Sequence, residues 1–399
     1  MALLFLCLIF GTGRTQKIEA ADTETDQAAA AQDELLAELD FDAIQQEVDS
    51  LLSSQQFSFA GTVRSLLQDG DPFRTFRAGN AVLSCAKTAF LAQKGLMKEL
   101  FLLVLAGAVL GSFSSLFEGK QVRDASFYMV YLLALALILK NFQSSGENLK
   151  AVITSLVAFM RILTPSYYLA AAAAGGASSA VMFYQMLLLV ILAVEKLLLA
   201  LVLPMIHIYL LIALVNDLSG EEILSHMTEL LETCVNGLLK SSLGVLVGMQ
   251  MIRNLIAPAL DSLRQMALWR TAGMIPGIGN AVNAVTELVA GSAVLIRNCF
   301  GVTAMLVLLA AGMVPAVQLL VSGLSFRLLA AAAQPVSDKR IAGCLAAAGK
   351  GYAMLLRLLL TVEVLFLLTI AILAGLFPRA CLKKAFRKLG LADCGNDFS

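Results

Sequence analysis

Four ionisable residues, Arg161, Glu287, Arg297 and Glu363, lie within or at the ends of apolar segments. An unpaired charge at membrane depth costs at least about 2.5–3.5 kcal/mol on insertion scales, so each must pair, reach the interface or face a polar cavity. Two readings stand for them: a polar path through the protein, or structural pairs between helices. Glu287 and Arg297 are ten residues apart, which is not the spacing of an i,i+4 ion pair, so a mutual salt bridge along one helix is not expected. Just before them runs Gly273-Met-Ile-Pro-Gly-Ile-Gly-Asn280. Its glycines miss the GxxxxGK[ST] spacing and no Lys follows, so it is not a phosphate loop. Pro276 bars a regular helix, while Gly277 and Gly279 permit unusual dihedrals or close helix approach. A break between helices is expected there, buried in protein or lining a cavity.

Other chemistry finds little material. The two histidines, His207 and His226, have no second ligand at helical spacing, and the seven cysteines show no CxxC or Cys/His cluster. Buried small hydrophobes are the expected role for these thiols. HExxH and GxSxG are absent, and Tyr168 and Ser178 lie in an Ala-rich run without an activating base. Neither catalysis nor a cofactor or metal is expected.

The elements that must carry these residues are set by composition. Of 399 residues, 59% are hydrophobic and 15% charged, against about 45–50% and 25% in soluble domains. The apolar residues come in long runs, which excludes a soluble enzyme, a β-barrel and a disordered hub. The fold class expected is all-α: a polytopic membrane protein with about seven to nine transmembrane or re-entrant helices. The formal net charge is zero and argues against nucleic acid as a partner. It also hides a separation: residues 19–50 hold eleven acids and no Lys or Arg, and the remainder beyond them is basic.

Five regions follow. Residues 1–21 resemble a signal peptide, with the apolar run Ala2 to Phe10 and a small-residue exit at Ala20-Ala21. That run would rise only about 14 Å as a helix, too short for about 30 Å of hydrocarbon. Residues 22–56 form an acidic, partly disordered leader, in which Leu35, Leu36, Leu39, Ile44, Val48, Leu51 and Leu52 keep helical spacing. Residues 57–99 interleave bases with apolar residues and read either as amphipathic helices at the membrane interface or as a solvated linker. Residues 100–377 are the multi-span domain. Residues 378–399 are a basic tail whose Arg379, Lys383, Lys384, Arg387 and Lys388 place it in the cytoplasm by the positive-inside bias. The Arg/Lys excess before Leu100 pulls the orientation the other way.

Within the multi-span domain the expected segments are Leu100–Phe117, Ala125–Phe142, Val152–Ala174, Ala177–Val194, Leu197–Val215, Val235–Ala257, Val282–Ile296, Cys299–Phe326 and Leu358–Phe377. Only Glu195-Lys196 separates the fourth from the fifth. Those two are therefore either one long helix kinked near Pro204 or a tight broken hairpin. Gly107xxxGly111 and Gly244xxxGly248 match the small-residue packing pattern, which 29 glycines also produce by chance. Pro165 and Pro204 are 39 apart, as are Pro276 and Pro315. Such an echo fits a transporter with broken-helix repeats, a duplicated scaffold without transport, or coincidence.

One stretch carries a family likeness: Ile275-Pro-Gly-Ile-Gly279, then Ala284-Val-Thr-Glu287, then Ser292-Ala-Val-Leu-Ile-Arg-Asn298 and Gly301. Leu163-Thr-Pro165, Gly175-Gly176 before Ser179-Ala-Val181, Val202-Leu-Pro204 and Gln334-Pro335 extend it. Across roughly residues 95–375 the chain resembles the stage III sporulation protein AE family. The resemblance implies a non-enzymatic, multi-pass protein of the mother-cell membrane around the engulfed forespore. It further implies membership of an operon-encoded, secretion-like channel complex with ring-forming proteins, a secretion-type ATPase and a forespore-side partner. It implies no catalytic residues. A secondary transporter working alone, of unnamed substrate, is the alternative. For either, Pro276, Gly277, Gly279, Glu287, Arg297 and Glu363 are the residues expected at a structural break or cavity lining.

Overall fold

The computed structural model describes residues 41–52, 57–69, 78–114, 120–173, 178–219, 224–272, 279–335 and 338–373. Within them all regular structure is helical. In chain order the helices are α1 (Phe41–Leu51), α2 (Phe59–Asp69), α3 (Ala78–Ser114), α4 (Lys120–Ala173), α5 (Ser178–Leu197), α6 (Leu203–Ser219), α7 (Ser225–Ala272), α8 (Gly279–Ala333) and α9 (Lys339–Leu373). A π-helical turn, Leu198–Val202, joins α5 to α6 without a break in the helical path. The expected signal segment and basic tail, the first part of the acidic leader and the run from Gly273 through Ile278 lie outside the described residues.

Five of the described segments are long and apolar enough to cross a membrane: Phe127–Thr164, Leu188–Ser219, Ser225–Met249, Val294–Ala333 and Lys339–Ala371. Parts of their outward faces are apolar, as lipid requires of a spanning helix. Leu320, Leu324 and Leu328 form one such stripe at i,i+4 spacing on α8, and Met129, Leu132 and Leu133 another on α4. This is a helical membrane protein.

Several expected boundaries are absent. Ala125–Phe142 and Val152–Ala174 belong to one 54-residue helix, because Gln143 to Lys150 contains neither proline nor a Gly-rich turn and continues the backbone ladder. Val282–Ile296 and Cys299–Phe326 likewise share the 55-residue α8. The polar start of α7 and the apolar segment after Val235 are also one helix. Of the two arrangements open at Glu195-Lys196, the continuous helix is the one observed, and its irregularity falls immediately before Pro204. A proline removes the N–H that would bond the carbonyl four residues back, and a π turn is a common way for a helix to absorb such a fault.

α8 and α9 form the central antiparallel hairpin. Its turn ends α8 at Pro335, which no helix can precede comfortably, and Asp338 caps α9 through Oδ1, accepting the Arg340 backbone N–H at 3.1 Å. The two backbones approach closely where Gly323 faces Gly349: a Cβ on Gly349 would stand 3.3 Å from the Gly323 carbonyl oxygen. α4 and α6 pack against the same hairpin. Gly107 of α3 meets Val130 of α4, whereas Gly244 and Gly248 have open space where a Cβ would be. The second small-residue pattern therefore meets no other helix among the described residues.

The expected amphipathic helix in the leader is present as α1, with Ile44 and Val48 fully buried. α2 is tied to it by Gln45, whose Nε2 donates to the Phe57 carbonyl at 2.7 Å while its Oε1 accepts the Phe59 N–H at 2.8 Å. Phe59 and Phe41 each meet Phe300 of α8 edge to face and tilt against one another, with centroids 5.0–6.3 Å apart. α1 and α2 therefore dock on the bundle through their apolar faces.

Candidate functional site

Two polar positions are built into the hairpin region. The first centres on Tyr352 of α9, which is fully buried. Its hydroxyl accepts a hydrogen bond from Asn141 Nδ2 of α4 at 2.6 Å and lies 3.3 Å from Ser145 Oγ. Its ring stacks on Phe326 of α8, with centroids 5.2 Å apart, and meets Phe142 of α4 edge-on at 5.2 Å. Phe142 in turn meets His207 of α6 at 5.3 Å. His207 Nδ1 is bonded to its own helix at the Leu203 carbonyl, 2.8 Å away, and the ring fills the space beside Gly146. Four helices thus converge on one aromatic cluster with a polar tip. It holds the helices in register, since a buried hydroxyl and amide without each other would each lose a partner.

One helical run toward the hairpin turn, α6 and α9 meet again. Tyr131 of α4 donates to the Leu214 carbonyl at 2.5 Å, Gly343 lies against the Asp217 carboxylate, and the Arg340 guanidinium sits 5.4 Å over the Phe127 ring. Arg357 Nη1 donates to Asn236 Oδ1 of α7 at 3.0 Å, joining that helix to α9. These are interhelical ties of the kind that specify packing inside a bilayer.

The second position is Glu363 on α9, 7% exposed. Its carboxylate rests against Gly312 of α8, where any Cβ would overlap it. Neither Oε1 nor Oε2 has a hydrogen-bond partner among the described residues. The hydroxyls along the same helix do not help: Thr361 and Thr369 donate to the Arg357 and Leu365 carbonyls four residues back. Pro315 lies inside α8, three residues beyond Gly312.

The residues singled out from sequence are distributed as follows. Pro276 and Gly277 lie outside the described residues, and Gly279 is the first residue of α8. Glu287 lies on the same helix, but its side chain is outside the described set. Arg297 is half-buried on α8, with its Nε lacking a hydrogen-bond partner among the described residues, as does Oδ1 of neighbouring Asn298. Arg297 is fifteen residues from Gly312, or about 22 Å along the helix, so it does not meet Glu363. Arg161 of α4 is instead the opposite charge acting on Glu195, a buried carboxylate of α5.

Sequence reasoning missed the Tyr352 cluster and the role of Gly312. The signal available was the glycine at each large group: Gly146 for His207, Gly323 for Tyr352, Gly351 for Phe142 and Gly312 for Glu363. No group of three or more His, Cys, Asp or Glu able to hold a metal occurs among the described residues.

Residues 57–376 match the family described as stage III sporulation protein AE. The chain is also 22% identical over 384 residues to stage III sporulation protein AE of Bacillus subtilis (strain 168), covering 93% of this chain and 96% of that one. No solved structure matches the chain. The matched stretch takes in the docked α2, all five apolar spanning segments and both polar positions, and the chain belongs to the stage III sporulation protein AE family.

Proposed function

We propose that the protein is a membrane-embedded, non-enzymatic component of the channel complex that links mother cell and forespore, needed for forespore development after engulfment. The carrying observation is the family match across residues 57–376, which takes in every spanning segment. In this reading the protein sits in the mother-cell membrane around the forespore, crosses it on its long continuous helices, and keeps its basic tail in the cytoplasm. Its partners are the ring-forming proteins, the secretion-type ATPase and the forespore-side protein of the same operon-encoded complex. α4 and α8, at 54 and 55 residues, rise about 80 Å each, well beyond about 30 Å of hydrocarbon. That leaves helical surface outside the bilayer for such partners.

A clean deletion in the source organism tests this. Engulfment is expected to finish and development to stop afterwards, with the co-expressed ring and ATPase proteins recovered on the tagged chain from sporulating cells. Normal spores from the deletion would overturn it.

A stand-alone secondary transporter is the second reading, favoured by one observation: the buried Glu363, without a hydrogen-bond partner among the described residues, against a proline-containing helix. Solute uptake by proteoliposomes containing this chain alone would select it over the complex.

A further inference from the structure

The membrane interior of the protein has a height at which the two helices flanking α9 both depart from regularity. Gly343 against Asp217 and Gly351 against Leu210 fix α6 antiparallel to α9. Continued at equal rise, that register brings Leu198, the start of the π turn, level with Glu363. On the other side of α9, Gly312 touches Glu363 and Pro315 follows within one turn. Irregular backbone persists at such depth only where protein or a cavity shelters it. Pro315 has no N–H, so the carbonyl of Ala311, the residue before Gly312, loses its ladder donor.

From this arrangement we infer that Glu363 is a proton-binding site within the membrane, occupied as the neutral acid and aimed so that its O–H can turn to the Ala311 carbonyl. A carboxylate left ionised there has nothing to hold it. Along the same helices its neighbours Leu308, Leu319, Leu359, Val362 and Phe366 are buried and apolar. α8 carries no Asp, Glu, Lys, Arg or His between Arg297 and Arg327. On the other packed helices the charged groups toward this end of the bundle are Lys87 and Lys94 on α3, Lys150 and Arg161 on α4, Glu195 and Lys196 on α5, and Lys240 on α7. None of them hydrogen-bonds Glu363 among the described residues. A metal cation is a poor occupant, because hard cations take about six oxygen ligands, and this site offers one carboxylate and one freed carbonyl. A proton needs only the acid and one acceptor. Gly312 makes room for it, and an ionised Glu363 would have to leave Gly312 for water, loosening α8 from α9.

The inference concerns the chain by itself and stands apart from its place in any complex. The test is infrared difference spectroscopy on the full-length protein in lipid nanodiscs, wild type against E363Q, across a pH series. A protonated-carboxyl band at pH 7 in the wild type, missing in E363Q and lost at alkaline pH, is expected. An ionised Glu363 at pH 7 would overturn it, and so would loss of the band on adding sodium or lithium at fixed pH. Should E363Q fail to accumulate, labelling of wild-type protein with dicyclohexylcarbodiimide, which attacks protonated carboxyls, gives a second readout. Mass spectrometry should then find Glu363 modified at pH 6 and at least tenfold less so at pH 9. Modification of Glu195 with Glu363 untouched, or labelling of Glu363 that ignores pH, would sink it.

Discussion

Gly146 and His207 are complementary in shape: an added Cβ on the glycine would stand 2.6 Å from both Cε1 and Nε2 of the imidazole. Gly146→Ala should therefore push the ring into Phe142 and lower the thermal midpoint of the purified protein. The double variant Gly146→Ala/His207→Ala should regain part of the loss. Equal midpoints for the single and double variants would show that the ring is not what the alanine meets.

Gly244 is the matched control. Nothing lies within 4 Å of the position its Cβ would take, and alanine is favoured over glycine inside a helix by about 1 kcal/mol. Gly244→Ala should leave the midpoint unchanged or raise it. A clear drop would mean that Gly244 packs against something outside this chain.

Tyr352→Phe keeps both ring contacts and removes only the hydroxyl that Asn141 and Ser145 share. Interhelical hydrogen bonds in membranes average about 0.6 kcal/mol, with a maximum near 1.7, and a loss in that range is expected. Tyr352→Ala also empties the space between Phe326 and Phe142 and should cost about 3–5 kcal/mol. Denaturation in mixed detergent, comparing the two variants, separates the polar tip from the packing.

Asp338→Ala removes the side-chain acceptor at the start of α9 and should cost about 1 kcal/mol. Asp338→Asn retains a capping oxygen and should cost little. Identical stabilities for the two would remove the cap from the account.

Phe300→Ala should release the α1–α2 pair, since Phe41 and Phe59 both pack on that ring. Limited proteolysis should then cut between α2 and α3 faster, with the spanning helices still protected. Unchanged cleavage would mean that the α1 contact with α4 suffices to hold the pair.

The all-helical membrane fold was legible because hydrocarbon leaves a chain one solution, and runs such as Cys299–Phe326 have no other use. Segment boundaries were less legible. A charged stretch such as Gln143–Lys150 reads as a loop, yet nothing in it breaks a helix, and the ladder runs through. Glu363 was visible as an expensive residue, but its neighbour was not, because Gly312 and Glu363 are brought together by the α8–α9 register rather than by any motif. The same holds for Tyr352, whose partners Asn141 and Ser145 are more than two hundred residues away. The Gly273–Asn280 run drew notice for its local chemistry, whereas the described polar positions arise where ordinary residues meet across helices.

The π turn at Leu198–Val202 also sets the angular phase of the helix it interrupts. One such turn acts as a single inserted residue, and each residue turns a helix by about 100°. Ser178–Leu197 is therefore rotated relative to Leu203–Ser219, so the two halves of one crossing show different azimuths to the bundle. Deleting one residue among Leu199, Ala200 and Leu201 would restore plain α-helix and re-clock the upstream half. Buried Glu195 would swing out of the interior, and exposed Leu189 would turn from lipid toward it. The crossing works as a spline with two sets of teeth, and its coupling is five residues long.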